Sequence, residues 1–296
     1  MGADAWEPRG VRIQHFFHEP TSTLTYVVDD GRAAIVIDPV RDYDPSTGRT
    51  SWASSEQVAA LLDRERLTVP YVIDTHAHAD HLTGLPFFRS RYGASTVTGA
   101  RVGEVQRAFR DLFDLGPGFP VDGSQFDVLL DEGARLGFGS LEIEALHTPG
   151  HTPAHMSWRV GDAVFVGDTL FMPDYGSARC DFPGGSAAIL YDSIQRLYAL
   201  PDTTRLFVCH DYRPGDRPLA FQTTVSEQKR ANVQIRAGTA KREYVAMREA
   251  RDASLEGPAL ILPSIQVNVR AGELPAPAAN GVAYLKIPLD AFGASR

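Results

Sequence analysis

Along the first forty residues apolar and polar positions alternate, in VRIQHFF, STLTYVVDD and AAIVIDPV. This period of two predicts an antiparallel strand meander, with a turn at Asp29-Asp30-Gly31. The period then changes: Val58, Leu61 and Leu62 recur at helical spacing between Ser54 and Arg66, with Ser54 or Ser55 as candidate N-caps. VPYVID follows as a short buried strand. GLPFFRSRYG reads as a helix closed by Gly93, STVTG as a strand, residues 101–115 as a helix and GPGFPVDG as a loop. A second run of strands comes next in FDVLL, ARLGF, LEIEALHT, MSWRV and AVFVGD. AAILYDSIQRLYAL has a helical period, TRLFVCHD is a strand, and 218–251 is predicted mostly helical. Strands, helix, strands, helix is the order of an α/β protein with two packed sheets and helices outside. The chain shows neither repeats nor a low-complexity tract. The simplest division is one catalytic domain over 1–251 with a C-terminal extension, 252–296, packed on it.

Composition narrows the function. A hydrophobic content of 43% supports a sizeable core, and a net charge of −8 offers no field for nucleic acid. The longest apolar stretches, such as ALILPSI, are too short to span a bilayer. MGADAWEPRGVRI has no apolar leader-like run, and its sixth residue, Trp6, stands where myristoylation wants Ser or Thr. These features point to the cytoplasm. Cys180 and Cys209 are too few for a disulfide framework and read as structural thiols. A homo-oligomer is compatible with the sequence, which does not decide it.

The chemistry gathers where strands end. DTHAHADHLTG places His76, His78, Asp80 and His81 directly after the apolar VPYVI. His151, Asp168 and His210 likewise follow apolar runs, in HTPGHT, VFVGDT and LFVCHD. Imidazole and carboxylate are the donors that suit zinc and non-haem iron. Ligands from distant segments at matching strand ends predict one pocket. If HAHADH is locally extended, His76, His78 and Asp80 point one way and His81 the other, so the loop could serve two adjacent metal positions. His15, His18, His147 and His155 read as ordinary structural histidines.

In order along the chain, THAHADH, HTPGHT, GDTLF and CHDY resemble the metallo-β-lactamase fold superfamily, over nearly the whole chain to about residue 215. The resemblance implies an αββα sandwich with a metal site along one edge of its sheets. All seven positions of that metal set are intact, which argues against a non-catalytic binding module. Two glutathione-linked branches compete. Arg179-Cys180-Asp181-Phe182, the alanines at 77 and 79, and the C-terminal VAMREARDASLEGPALILPSIQVNVRAGELP resemble bacterial persulfide dioxygenases. That branch implies one Fe(II) per chain on His76, His151 and Asp168, and oxidation of glutathione persulfide by O2 to sulfite and glutathione. His78, Asp80, His81 and His210 would then support these ligands or form an unused second site. Arg179 would hold a substrate carboxylate and Tyr212 would place its hydroxyl against the tripeptide. The alternative is a glyoxalase II-like hydroxyacylglutathione hydrolase with two zinc ions or mixed metals.

Overall fold

A computed structural model describes residues 11–289. The N-terminal reading of residues 1–10 and the end of the extension, 290–296, lie outside the described residues. The first half of the chain forms β1 (Arg12–His18), β2 (Thr23–Asp29), β3 (Ala33–Ile37), β4 (Val40–Asp44) and β5 (Arg49–Ser51). Helix α1 (Ala53–Glu65), β6 (Thr68–Ile73), β7 (Leu82–Thr83), α2 (Leu85–Tyr92), β8 (Ser95–Gly99) and α3 (Val102–Leu112) follow. The second half opens with β9 (Val128–Leu130), β10 (Arg135–Phe138), β11 (Leu141–His147), β12 (Met156–Val160) and β13 (Ala163–Phe165). It continues through α4 (Ala187–Tyr198), β14 (Arg205–Phe207), β15 (Gln222–Thr224), α5 (Val225–Ala231), α6 (Lys241–Asp252) and α7 (Ile261–Asn268).

The strands make two six-stranded mixed sheets, ordered β1-β2-β3-β6-β8-β9 and β10-β11-β12-β13-β14-β15, and a small sheet β5-β4-β7. Alternation explains how the first large sheet is buried on both faces. Leu24, Tyr26, Ile35 and Ile37 face the second sheet and meet Trp158, Phe165 and Phe207. Val27, Val36 and Val72 point the other way, onto Val58 and Leu62 of α1 and Leu85 and Phe88 of α2. The continuous apolar runs AAIVI and VPYVI are what a strand covered on both sides requires.

The structure adds a hairpin, moves a helix cap and divides a helical stretch. Residues 40–51 carried no alternation because RDYDPSTGRTS is polar on both faces, yet they form the β4–β5 hairpin, turned by the Asp44 carboxylate accepting from Ser46 N–H at 2.8 Å. Neither Ser54 nor Ser55 caps α1, whose N-cap is Trp52. Their hydroxyls instead donate to the Asp42 carboxylate and the Val40 carbonyl, tying the helix to β4. Finally, the mostly helical 218–251 is divided into α5 and α6, with β15 before them. Asn232 accepts from the N–H groups of Gln234 and Ile235 at 2.9 and 3.0 Å, ending α5 and separating it from α6.

The two sheets are latched at the end away from the histidine cluster. Asp30, in the β2–β3 turn, accepts from Arg32 and Ala33 N–H through one oxygen and from the N–H and hydroxyl of Ser140, in the β10–β11 turn, through the other. Gly139 has φ +57°, and a Cβ there would overlap the Asp30 carboxylate. Burial opposes the charge, but these donors outweigh it and hold the carboxyl at about 2. The charged latch therefore stabilises the fold above the usual carboxylate range, and its contribution fades as pH falls from about 4 towards 2. Asp30→Asn should lower unfolding free energy at pH 7 by about 1–3 kcal/mol, since donors lose their charged acceptor. Urea titrations at stepped pH would check this, and the penalty should shrink below pH 4.

Candidate metal centre

At the opposite end the sheets are stitched through backbone. Leu24 N–H donates to Cys209 O at 2.7 Å, Asp211 N–H to Ser22 O at 3.1 Å, and Met156 N–H to Thr75 O at 2.9 Å. These bonds, with Val166 N–H donating to Phe207 O at 2.9 Å, bring the residues after β6, β13 and β14 to one edge. All seven sequence-predicted donors meet there. They fall into two sets whose ligand atoms lie within 4.8 Å of one another: His76, His151 and Asp168, and His78, Asp80, His81 and His210.

Hydrogen bonds prepare the imidazoles of the first set as donors. Thr75 Oγ1 donates to Asp38 Oδ2 at 3.0 Å and so offers a lone pair to His76 Nδ1–H at 2.9 Å. His151 Nδ1 lies 2.7 Å from the Arg179 carbonyl, an acceptor only, which fixes its proton on Nδ1. Both rings thus present a bare Nε2 towards Asp168 Oδ2, at 3.9 and 3.7 Å. Ligand atoms sharing one ion at about 2.1 Å stand roughly 3–4 Å apart, so these spacings suit a common metal. Burial, followed by neighbouring imidazoles, pushes the His76 pKa well below its usual value and keeps the ring neutral.

The second set is built differently from the extended-loop expectation. His78 stays beside His76, with ring centroids 4.1 Å apart, and its Nε2 meets the buried Asp38 carboxylate at 3.0 Å; the bend at 79–81 brings the His81 ring to 4.2 Å from it. Burial disfavours the charged imidazole, but Asp38 outweighs it and raises the His78 pKa to about 9. Burial drives His81 down to about 4 despite Asp80 at 3.2 Å. His210 Nε2 lies 3.4 Å from both Asp80 and Asp168, so Asp168 is positioned between the two sets.

A metal fits these residues on physical grounds. His76 Nε2, His78 Nδ1, His81 Nε2, His210 Nε2 and Asp168 Oδ1 are all buried without a hydrogen-bond partner. Each such orphan costs about 1–3 kcal/mol, and a cation shared among them would satisfy lone pairs that nothing else meets.

His155, read from sequence as structural, is not in either set, but it supports one. Its Nε2 accepts from Asp168 N–H at 2.9 Å, and its Nδ1 pairs with Thr148 Oγ1 at 3.0 Å. Burial lowers its pKa well below normal, which suits an accepting nitrogen. Gly167, at φ +49°, leaves the room for this approach, since a Cβ there would press on the His155 ring. Two further polar residues were missed. Asp38 sits 37 residues before Thr75, and Asn268 lies 187 residues after His81, so no local spacing connects them to the motif.

A cavity of about 470 Å³ opens over Asp168, Asp80 and His151. Phe171, Tyr175, Phe182 and Tyr212 give it aromatic walls, and residues after α6, among them Leu255 and Leu260, close one side. Tyr212 stacks on His210, with ring centroids 5.6 Å apart. The Arg179 fork, assigned from sequence to a substrate carboxylate, is occupied: Nε and Nη2 donate to Asp181 at 2.6 and 2.7 Å, and Nη1 to Glu256 O at 2.6 Å. Arg213 and Arg217 pair with Glu19 and with Asp174 and Asp211. Cys180 and Cys209 are free and buried, and burial raises both thiols. Among the described residues no helix is long and apolar enough to cross a membrane.

Residues 18–210 match the model of the metallo-beta-lactamase superfamily. The chain belongs to that superfamily. It is 50% identical over 293 residues to a protein of Burkholderia pseudomallei named a probable metallo-hydrolase, covering 95% of this chain and 99% of that one. It is 43% identical to glyoxylase B2 of Dictyostelium discoideum, over 91% and 93% of the two chains. Identity to the persulfide dioxygenase ETHE1 of Mus musculus is 27%, over 88% and 89%. Among solved structures, ETHE1 from Myxococcus xanthus superposes with a TM-score of 0.71 at 30% identity, covering 88% of this chain and all of that one. The sandwich is that of the superfamily.

The support role of His155 is testable. His155→Phe keeps the ring's bulk and removes the acceptor for Asp168 N–H, so metal affinity should fall about 10- to 100-fold with the ligands intact. Chelator competition would measure it; unchanged affinity would mean that Asp168 needs no such anchor.

Proposed function

We propose that this protein is a glutathione-dependent persulfide dioxygenase with one Fe(II) held by His76, His151 and Asp168. The observation that carries the reading is the three-donor set itself: two imidazoles and one carboxylate whose ligand atoms lie within 4.8 Å of one another. Two histidines and a carboxylate on one face suit non-haem iron that keeps positions open. Iron held there supplies redox chemistry and coordination sites for a substrate sulfur and dioxygen. The net reaction takes a persulfide anion, O2 and water to glutathione, sulfite and one proton. The protein's share is placement: Thr75 and the Arg179 carbonyl orient the two rings, and the aromatic walls hold the substrate and limit water.

A substrate carboxylate is better placed on Arg251 than on Arg179. Three arginines line the cavity: Arg179 is committed to Asp181 and Arg248 to Asp252, whereas Arg251 is exposed and, among the described residues, its guanidinium has no acidic partner. Tyr212, beside His210, forms part of the wall against which the tripeptide would lie.

A second reading, a glyoxalase II-like hydrolase with two metals, is favoured by one specific feature. The second donor set is complete and approaches Asp168 through His210, as a dinuclear site needs. The names of the Burkholderia and Dictyostelium relatives lean the same way.

Metal analysis and two assays separate the readings. Protein from iron-replete cells should carry about one iron per chain and consume O2 with glutathione persulfide. Two zinc ions per chain with hydrolysis of S-lactoylglutathione would move the assignment to the hydrolase. In either assay Arg251→Ala should raise KM about 10- to 100-fold with kcat and metal content little changed, as loss of a charge-assisted contact predicts. A larger KM effect from Arg179→Ala than from Arg251→Ala would return the carboxylate to Arg179.

A further inference from the structure

The metal-bearing loop is held from the far end of the chain. Asn268, the last residue of α7, is 1% exposed. Its amide donates both hydrogens to that loop, at 2.8 Å to His78 O and 2.8 Å to His81 O. Its oxygen accepts from Thr83 N–H at 2.9 Å. One side chain thus satisfies three backbone groups spread across His78 to Thr83, the span that carries three of the four members of the second donor set. Thr83 passes the constraint on, donating its hydroxyl to the buried carboxylate of Asp74, just before the histidines. Ile265 and Val269, on and just after the same helix, pack with Ala77 and Ala79, the two spacer residues of HAHADH. The spacers are small enough to let the helix approach, and the amide then sets the loop's curvature.

We propose that Asn268 is a positioning residue for the metal loop, so that α7, within the segment after residue 251, completes the metal centre. The loop has no strand or helix of its own between Asp74 and His81 to fix its path. A buried carbonyl without a donor would turn to find one, and His78 and His81 would turn with it. The inference rests on the metal-site reading but not on which reaction the site performs.

Gln266 provides an internal comparison. It lies on the same helix and is equally buried, but its amide donates to Leu262 O at 2.7 Å and Lys286 O at 2.8 Å and accepts from Lys286 N–H, away from the metal loop. The test uses the full chain, stripped of metal, with zinc(II) titrated against a chromophoric chelator, beside thermal melts of the metal-free protein. Asn268→Asp keeps the shape and the Thr83 contact but sets a carboxylate against two carbonyls, so it preserves a fold that Asn268→Ala could lose. Asn268→Asp and Asn268→Ala should weaken zinc binding about 10- to 100-fold. Gln266→Ala should lower the melting temperature while binding zinc as the wild type does. Wild-type zinc affinity in both Asn268 variants, or an equal loss in Gln266→Ala, would overturn the proposal and reduce α7 to general packing. A wild-type chain that binds no zinc or iron would instead overturn the metal-site reading itself.

Discussion

The arrangement around the metal centre depends on one buried carboxylate. Asp38 lies at the end of β3 with φ +50°, a backbone conformation that Asp tolerates better than most residues, and it is almost wholly removed from water. A carboxylate in such a place is sustained only by donors from the protein. Here Thr75 N–H at 2.7 Å, the Thr75 hydroxyl and His78 Nε2 provide them. Satisfying that charge determines which way Thr75 turns, which nitrogen of His76 bears its proton, and which nitrogen of His78 is engaged. The local order of the histidines follows from an acid 37 residues upstream.

The fold brings these parts together by closing two sheets at both ends with different chemistry. Away from the site the closure is a side-chain latch, Asp30 to Ser140, across turns. At the site it is backbone to backbone, with the segments after β6 and β14 crossing to the opposite sheet. The Tyr26 hydroxyl reinforces the same seam, donating to Val208 O at 2.6 Å from within the core. Because hydrogen bonds and not side-chain packing alone set the edge, residues from strands distant in sequence meet with their donor atoms within a few ångströms. A site of this kind tolerates change in the walls of its cavity more readily than in the loops that join its sheets.

The legible features in the sequence were those with a local signature. Alternation gave away the first three strands, and the histidine cluster after VPYVI marked the centre, because ligands at strand ends leave an apolar run followed by donors. His78 stands beside His76 as alternation predicts, whereas His81 lies against His78 because the segment bends at 79–81 and alternating sides are a property of extended backbone. His155 looked ordinary because accepting one backbone N–H leaves no spacing pattern. Arg179 was assigned to the substrate on its chemistry, while the acid that occupies it, Asp181, stood only two residues away in the same quoted stretch. Asn268 and Asp38 act across the fold, and a partner defined by three-dimensional closure has no period to read. The hairpin at 40–51 was missed because both of its faces are polar, which removes the only signal a strand that short can give.

The charges around the cavity carry a last consequence for the kind of ligand it suits. The floor holds the Asp80 and Asp168 carboxylates, which a bound cation would offset, and two of the three lining arginines are already neutralised by Asp181 and Asp252. Such committed pairs contribute shape more than field, since a guanidinium facing its own carboxylate has little attraction left for another. Among the described residues what remains is one guanidinium without an acidic partner, Arg251, set on a largely aromatic and aliphatic wall. That balance suits a ligand of modest size with a single anionic end and a flexible, partly apolar body, and it disfavours a polyanion, which would need several free cations. The net charge of −8 over the whole chain works in the same direction at long range. A ligand of that kind would register its charge on Arg251 with its other end reaching past the aromatic wall toward the donors.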